Sequence, residues 1–109
     1  MSYCRFCEII NEHKNLLDEE VVFENNQFLV ITDKYRKTSA GPICLIIPKE
    51  HHPNLLEIDK QLEISLVKII KLISKVIQKA YDCKGIRIWT AVNKEAGQSI
   101  FHLHVHIVP

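Results

Sequence analysis

Three histidines near the end of the chain, His102, His104 and His106, alternate with Leu103, Val105 and Ile107. A β-strand has a period of two, so this alternation predicts one extended segment with the imidazoles on one face and the apolar partners in the core. At about 3.3 Å per residue, neighbouring rings stand about 6.6 Å apart and the outer pair about 13 Å apart. One metal could take two neighbours of the row but not all three without a strong bend, because zinc–nitrogen bonds are only about 2.0–2.1 Å. An imidazole with its ordinary pKa of about 6.5 is mostly neutral near pH 7 and offers a lone pair without prior deprotonation. Attack on an electrophile would form a covalent intermediate and divide one slow displacement into two faster ones.

Other residues carry chemistry at shorter range. Cys4-Arg5-Phe6-Cys7 supplies two thiolates at a spacing common in structural zinc sites. The spacing alone leaves a redox pair and two unliganded thiols as alternatives, although no βαβ pattern follows to support the redox pair. His51 and His52 are further imidazoles, and a catalytic metal held by two members of the row is a third possibility. Gly97-Gln98-Ser99 places an amide and a hydroxyl, both able to donate to anionic oxygens, where backbone can approach closely. Asp33 can accept two hydroxyl hydrogen bonds. No Walker-type glycine-rich loop and no acidic cluster occurs, so neither magnesium nor an organic cofactor is expected. Cys44, inside an apolar run, and Cys83, at a helix end, read as structural.

These groups must be positioned by a small number of elements. Cys7 to Glu12 reads as a short helix and Asn11 to Glu20 as a polar loop. Val21–Glu24 and Gln27–Ile31 are strand-like, joined by an Asn25-Asn26 turn. Asp33 to Gly41 reads as a polar connection that follows the second strand. Ile43–Ile47 is an apolar run of strand length closed by Pro48, which suits a central strand buried on both faces. From Asp59 to Asp82, Leu62, Leu66, Ile69, Ile70, Ile73, Val76, Ile77 and Ala80 recur at helical spacing, with Lys68, Lys71, Lys75 and Lys79 opposite. Asp59 suits the N-cap and Gly85 the position just past the end. Ile86–Val92 alternates as a strand, Asn93–Ser99 is a loop, and the histidine strand follows. Five strands and one long helix, connected mainly antiparallel, make an α+β domain.

At 109 residues the chain is one domain, and its formal net charge of +1 gives no reason to expect sequence-independent nucleic-acid binding or membrane attraction. No apolar run approaches the roughly 20 residues that cross a bilayer, and the start lacks a signal-peptide pattern. A cytoplasmic location with reduced thiols is the expectation.

The run Gln98-Ser99-Ile100-Phe101-His102-Leu103-His104-Val105-His106-Ile107-Val108-Pro109 resembles the signature of the histidine-triad (HIT) superfamily, whose members hydrolyse or transfer nucleotides through a phosphorus centre. The resemblance covers the chain from Cys4 to Pro109, so residues 1–109 are expected to form one HIT domain. It implies a five-stranded antiparallel sheet with a long helix and a short N-terminal helix, and a homodimer joining two sheets. By resemblance His104 is the nucleophile that forms a nucleotidyl-histidine, and His106 donates to the phosphoryl oxygens. Ser99 matches a phosphate-contacting serine of Hint-type members, and Gln98 a glutamine with a comparable part in the fragile-histidine-triad branch. Asn93 matches an asparagine near the substrate, and Asp33 the aspartate that binds the ribose hydroxyls. Phe6, Phe23, Phe28 and Ile31 are candidates for the base pocket.

Relatives with the N-terminal Cys-x-x-Cys pair it with the histidine after the middle strand and the first of the motif. Carried over, a structural zinc sits on Cys4, Cys7, His51 and His102; the alignment of Pro-Lys-x-His favours His51 over His52. The resemblance thus implies a nucleotide hydrolase acting on a purine nucleoside phosphoramidate or related nucleotidyl bond. A dinucleoside polyphosphate hydrolase and a nucleotide-binding regulatory or scaffold protein are the rivals. Departures from the pattern are Gly41-Pro42-Ile43 where many members have Gly-His, a shorter loop from Asn93 to His102, and an end at Pro109 without a C-terminal extension. The last leaves an open or a truncated pocket as the expectation.

Overall fold

The structure, a computed structural model, describes residues 3–12 and 20–109. The loop expected from Asn11 to Glu20 lies, over residues 13–19, outside the described residues; Asn11 and Glu12 belong to the first helix. That helix, α1 (Arg5–Glu12), buries Phe6 and Ile9. Five strands follow the expected order: β1 (Val21–Glu24), β2 (Phe28–Thr38), β3 (Gly41–Pro48), β4 (Arg87–Trp89) and β5 (Val105–Val108). They form one antiparallel sheet in the order β1-β2-β3-β5-β4, so β3 is central and β4 is an edge. The β1–β2 turn is tied by the Asn25 carboxamide oxygen, which accepts from the backbone N–H groups of Gln27 and Phe28.

The long helix α2 (Lys60–Tyr81) starts where the Asp59 carboxylate accepts from the Leu62 N–H, as an N-cap should. It ends on Asp82 rather than by way of Gly85: Asp82 takes the left-handed conformation, φ 51°, that closes the helix. Aspartate tolerates that conformation because its short side chain can bond locally. Leu66, Ile69, Ile73 and Ile77 pack on one face of the sheet against Phe28, Val30, Cys44, Ile46, Leu103, Val105 and Ile107. The other face carries a smaller cluster of Phe6, Ile9, Leu29, Ile31 and Ile47. β3 contributes to both, which is why its sequence is apolar without alternation.

Three elements differ from the sequence expectation, each beside the site. First, the segment read as a connection from Asp33 to Gly41 continues β2. Between the pairs Thr32↔Cys44 and Lys37↔Pro42, residues 33–36 lie opposite Ile43 alone. This is a bulge, and bulges re-aim side chains where a sheet meets its site. Second, regular β5 begins at Val105, so His102 and His104 precede it; there the Leu103 N–H donates to the His52 carbonyl at 2.7 Å instead of to a ladder partner. Third, β4 has only three residues, because the Thr90 hydroxyl donates to the His104 carbonyl where ladder pairing would continue.

Candidate functional site

Although only His106 lies in regular strand, the alternation of faces holds. Leu103, Val105 and Ile107 enter the core under α2, while His104 and His106 line a cavity on the opposite face with their rings 5.0 Å apart. The cavity, about 230 Å³, is walled by Phe6 and Arg5 of α1, by Ile31, Asp33 and Arg36 of β2, and by Leu45 and Ser99. The bulge in β2 brings Asp33 and Arg36 to its rim. Within it the Asp33 carboxylate accepts from the Tyr35 N–H at 3.0 Å.

Two of the three imidazoles are oriented by carbonyls, which only accept. His102 Nε2 donates to Pro48 O at 2.7 Å, and His104 Nδ1 donates to His102 O at 2.8 Å. Each bond fixes a tautomer: His102 presents the lone pair of Nδ1, and His104 that of Nε2. Burial holds His104 below its ordinary pKa, opposed by the bond to the His102 carbonyl. His106 is pushed down to about 4 by burial and by the nearby His104 and Arg36, against the opposing charge of Asp33. Both rings are neutral at pH 7. A neutral ring can attack, and a neutral donor can bond an anionic oxygen.

Beside this row the ligand atoms of Cys4, Cys7, His51 and His102 lie within 4.8 Å of one another. Sγ of Cys7 is 3.2 Å from His51 Nδ1 and 3.5 Å from His102 Nδ1; Sγ of Cys4 is 3.4 Å from His102 Nδ1. The two Nδ1 atoms are 3.1 Å apart. A tetrahedral zinc with its usual bond lengths would space such ligands at about 3.3–3.8 Å. Burial, and then Cys4, push the Cys7 thiol up to about 11, so adjacent thiolates need a cation to hold them. The Pro48 carbonyl, by fixing the His102 tautomer, is the outer partner that metal-bound histidines characteristically have. The donor set therefore fits a closed Cys2His2 metal site, and the cluster takes His51 rather than His52, whose Nε2 lies 3.6 Å from Glu50.

Of the other expected residues, Asp33 and Ser99 reach the cavity wall and two do not. Gln98 is buried, and its amide holds the loop: Nε2 donates to the Pro53 and Ile100 carbonyls, and Oε1 accepts from the Asn93 N–H. Asn93 is exposed at the start of a single 3-10 turn (Lys94–Ala96), outside the cavity lining. Of the proposed base-pocket residues, Phe6 and Ile31 line the cavity, while Phe23 and Phe28 pack under α2 on the sheet's other face. Sequence reasoning passed over Arg5, Arg36 and Trp89. Only Trp89 had a readable signal, since an alternating strand beside the histidine strand puts every second residue on its face.

Alternating histidines on one face, the first of them also part of a Cys/His cluster that could hold a metal, define a histidine-triad fold. The chain belongs to the HIT domain family, whose sequence profile matches residues 14–109. The crystal structure of a hypothetical histidine triad nucleotide-binding protein from Sulfolobus tokodaii is 42% identical, with a TM-score of 0.85 over 97% of this chain and 68% of that one. A HIT family hydrolase from Clostridium thermocellum is 34% identical, with a TM-score of 0.77 over 99% and 90%. An adenylylsulfatase of Arabidopsis thaliana, HINT3, is 35% identical over 106 residues, 97% of this chain and 51% of the relative. Among the described residues no helix is long and apolar enough to cross a membrane.

Proposed function

We propose that the protein is a nucleotide hydrolase that cleaves a purine nucleoside 5′-phosphoramidate or a related nucleotidyl bond through a covalent intermediate on His104. The observation that carries this reading is the bond from His104 Nδ1 to His102 O, which leaves the Nε2 lone pair free at the cavity. In the first step Nε2 bonds to the α-phosphorus as the bond to the leaving group breaks, and the leaving amine takes up a proton from solvent. In the second, water attacks phosphorus and releases a proton to solvent, the P–N bond breaks, and its electron pair returns to His104. His106 donates to the phosphoryl oxygens, where charge develops.

Ser99 contacts phosphate and Asp33 accepts the ribose hydroxyls, both from the cavity wall. Gln98 and Asn93 act from behind, the amide of Gln98 setting the loop that presents Ser99. Zinc on Cys4, Cys7, His51 and His102 would be structural: a closed set leaves no position for substrate. When bound it would pin α1, and with it Phe6, whose ring meets those of His102 and His104 edge-on at 5.9 and 5.0 Å. We place the protein in the cytoplasm as a homodimer.

Arg5 and Arg36 at the cavity favour a second reading, a dinucleoside polyphosphate hydrolase, because guanidinium groups suit additional phosphates. Steady-state rates on an adenosine phosphoramidate, a diadenosine polyphosphate and adenylyl sulfate would rank the leaving groups; the third belongs in the panel because of the Arabidopsis relative. Mass spectrometry of enzyme quenched during turnover tests the shared chemistry. A nucleotidyl adduct on His104 is expected, and an adduct on another side chain overturns the mechanism.

A further inference from the structure

His102 and His104 are each tied by one ring nitrogen to a backbone carbonyl. Among the hydrogen bonds of the described residues His106 has no such anchor. Its ring lies flat on the indole of Trp89 instead, with centroids 3.8 Å apart and planes within 2°. The sheet dictates this contact. Trp89 and His106 are register partners in the antiparallel pair of β4 and β5, so they project from the same face, and side chains so opposed have Cβ atoms only about 4.5–5.5 Å apart. Arg87, two residues earlier and on the same face, stands over the indole with Cζ 5.8 Å from the ring centroid.

Rotation of an imidazole about χ2 is otherwise broad and shallow. A flat contact this close restricts it without using a ring nitrogen. Both nitrogens of His106 stay available, whereas a carbonyl anchor would consume one.

We propose that Trp89 is a positioning residue for the reaction assigned above: its indole fixes the plane of His106, so that a ring nitrogen meets the phosphoryl oxygen on which charge develops. This rests on the nucleotidyl-transfer reading of the site. The stack favours the transition state more than the bound ground state, because a preorganised donor matters most where charge appears. A displacement of about 1 Å at such a donor costs up to roughly 100-fold in rate.

Two variants separate orientation from bulk. Trp89→Leu keeps an apolar side chain without a ring, and Trp89→Phe keeps a ring to stack. With the best nucleotide substrate, Trp89→Leu is expected to lower kcat about 10- to 100-fold with KM within about threefold, and Trp89→Phe to recover most of the loss. Equal kcat in wild type and Trp89→Leu, or a Phe variant as slow as the Leu one, overturns the proposal. Trp89 is the chain's single tryptophan, so its emission reports the stack without turnover. It is expected to change in His106→Ala, and unchanged emission also overturns the proposal. Failure of the nucleotidyl reading would look different: no adduct on His104 in the wild type, with the emission change intact. The positioning role would then fall with that reading.

Discussion

A histidine that donates from Nδ1 to a carbonyl has one basic atom left, and His104 lines the cavity. His104→Ala removes the attacking group and little binding surface. Turnover should fall by roughly 1,000-fold or more while affinity for a nucleoside monophosphate, read by calorimetry, changes only a few-fold. Comparable losses of rate and affinity would make His104 a binding group instead. His106 carries a pH prediction. Its folded pKa is about 4, against about 6.5 in the unfolded chain. As pH falls below about 6.5 the unfolded chain takes up a proton that the folded ring refuses. Stability therefore declines between about pH 6.5 and 4 and levels off below. His102 and His104 push in the same direction, since burial also lowers them, so the His106 part is read as a difference. In thermal melts His106→Gln should lose less stability between pH 7 and 4.5 than the wild type. Parallel slopes would refute the assignment.

On the scale of elements, α1 is held to the sheet by a small apolar cluster and by the Cys/His set beside it. Metal analysis should find one zinc per chain in the wild type. Cys4→Ser should lose it and lower Tm by roughly 5–10 °C, a larger effect on stability than on kcat. A metal-free wild type that melts where the variant does would remove the site. How far these elements were legible varies with how local their causes are. The core stripe of α2, its Asp59 cap and the double burial of β3 follow from side-chain periodicity, which neighbouring residues already display. The facing of Leu103, Val105 and Ile107 is legible for the same reason, even though regular pairing begins only at Val105. The bulge after Thr32 is not legible, because it records a mismatch between two strands that pair across the turn. Nor is the side of the sheet that Phe23 and Phe28 face, because an aromatic residue in a strand fits either the core or a pocket. Nor are the Pro53 and Ile100 carbonyls that engage the Gln98 amide, because the fold brings them there. Trp89 needed the β4–β5 register before it could be placed next to His106.

On the scale of the whole molecule, the sheet ends on β4, an edge strand of three residues with Ile88 half exposed. Open edges invite pairing, and proteins that stay monomeric blunt them with charge, proline or cover. Helix α2 adds Ile64, Val67, Leu72 and Val76, each about half exposed, outside the stripe that packs on the sheet. Apolar surface on a helix and an adjoining edge strand gives a second copy both hydrogen-bond partners and area to bury, and a stable dimer needs more than about 1,000 Å² in total. If β4 pairs with its symmetry mate, the two histidine rows lie in one continuous ten-stranded sheet. Ile88→Lys then places like charges near the two-fold axis and removes buried apolar area. Sedimentation at micromolar concentration should give a dimer for the wild type and a dissociation constant at least about 10-fold weaker for Ile88→Lys, corresponding to some 1.4 kcal/mol. Ile88 is the register partner of Ile107, on the face of the sheet opposite the cavity, so the monomerised variant should still form the adduct on His104. A wild type sedimenting at 12.7 kDa would leave the β4 edge as a surface without a partner of its own kind.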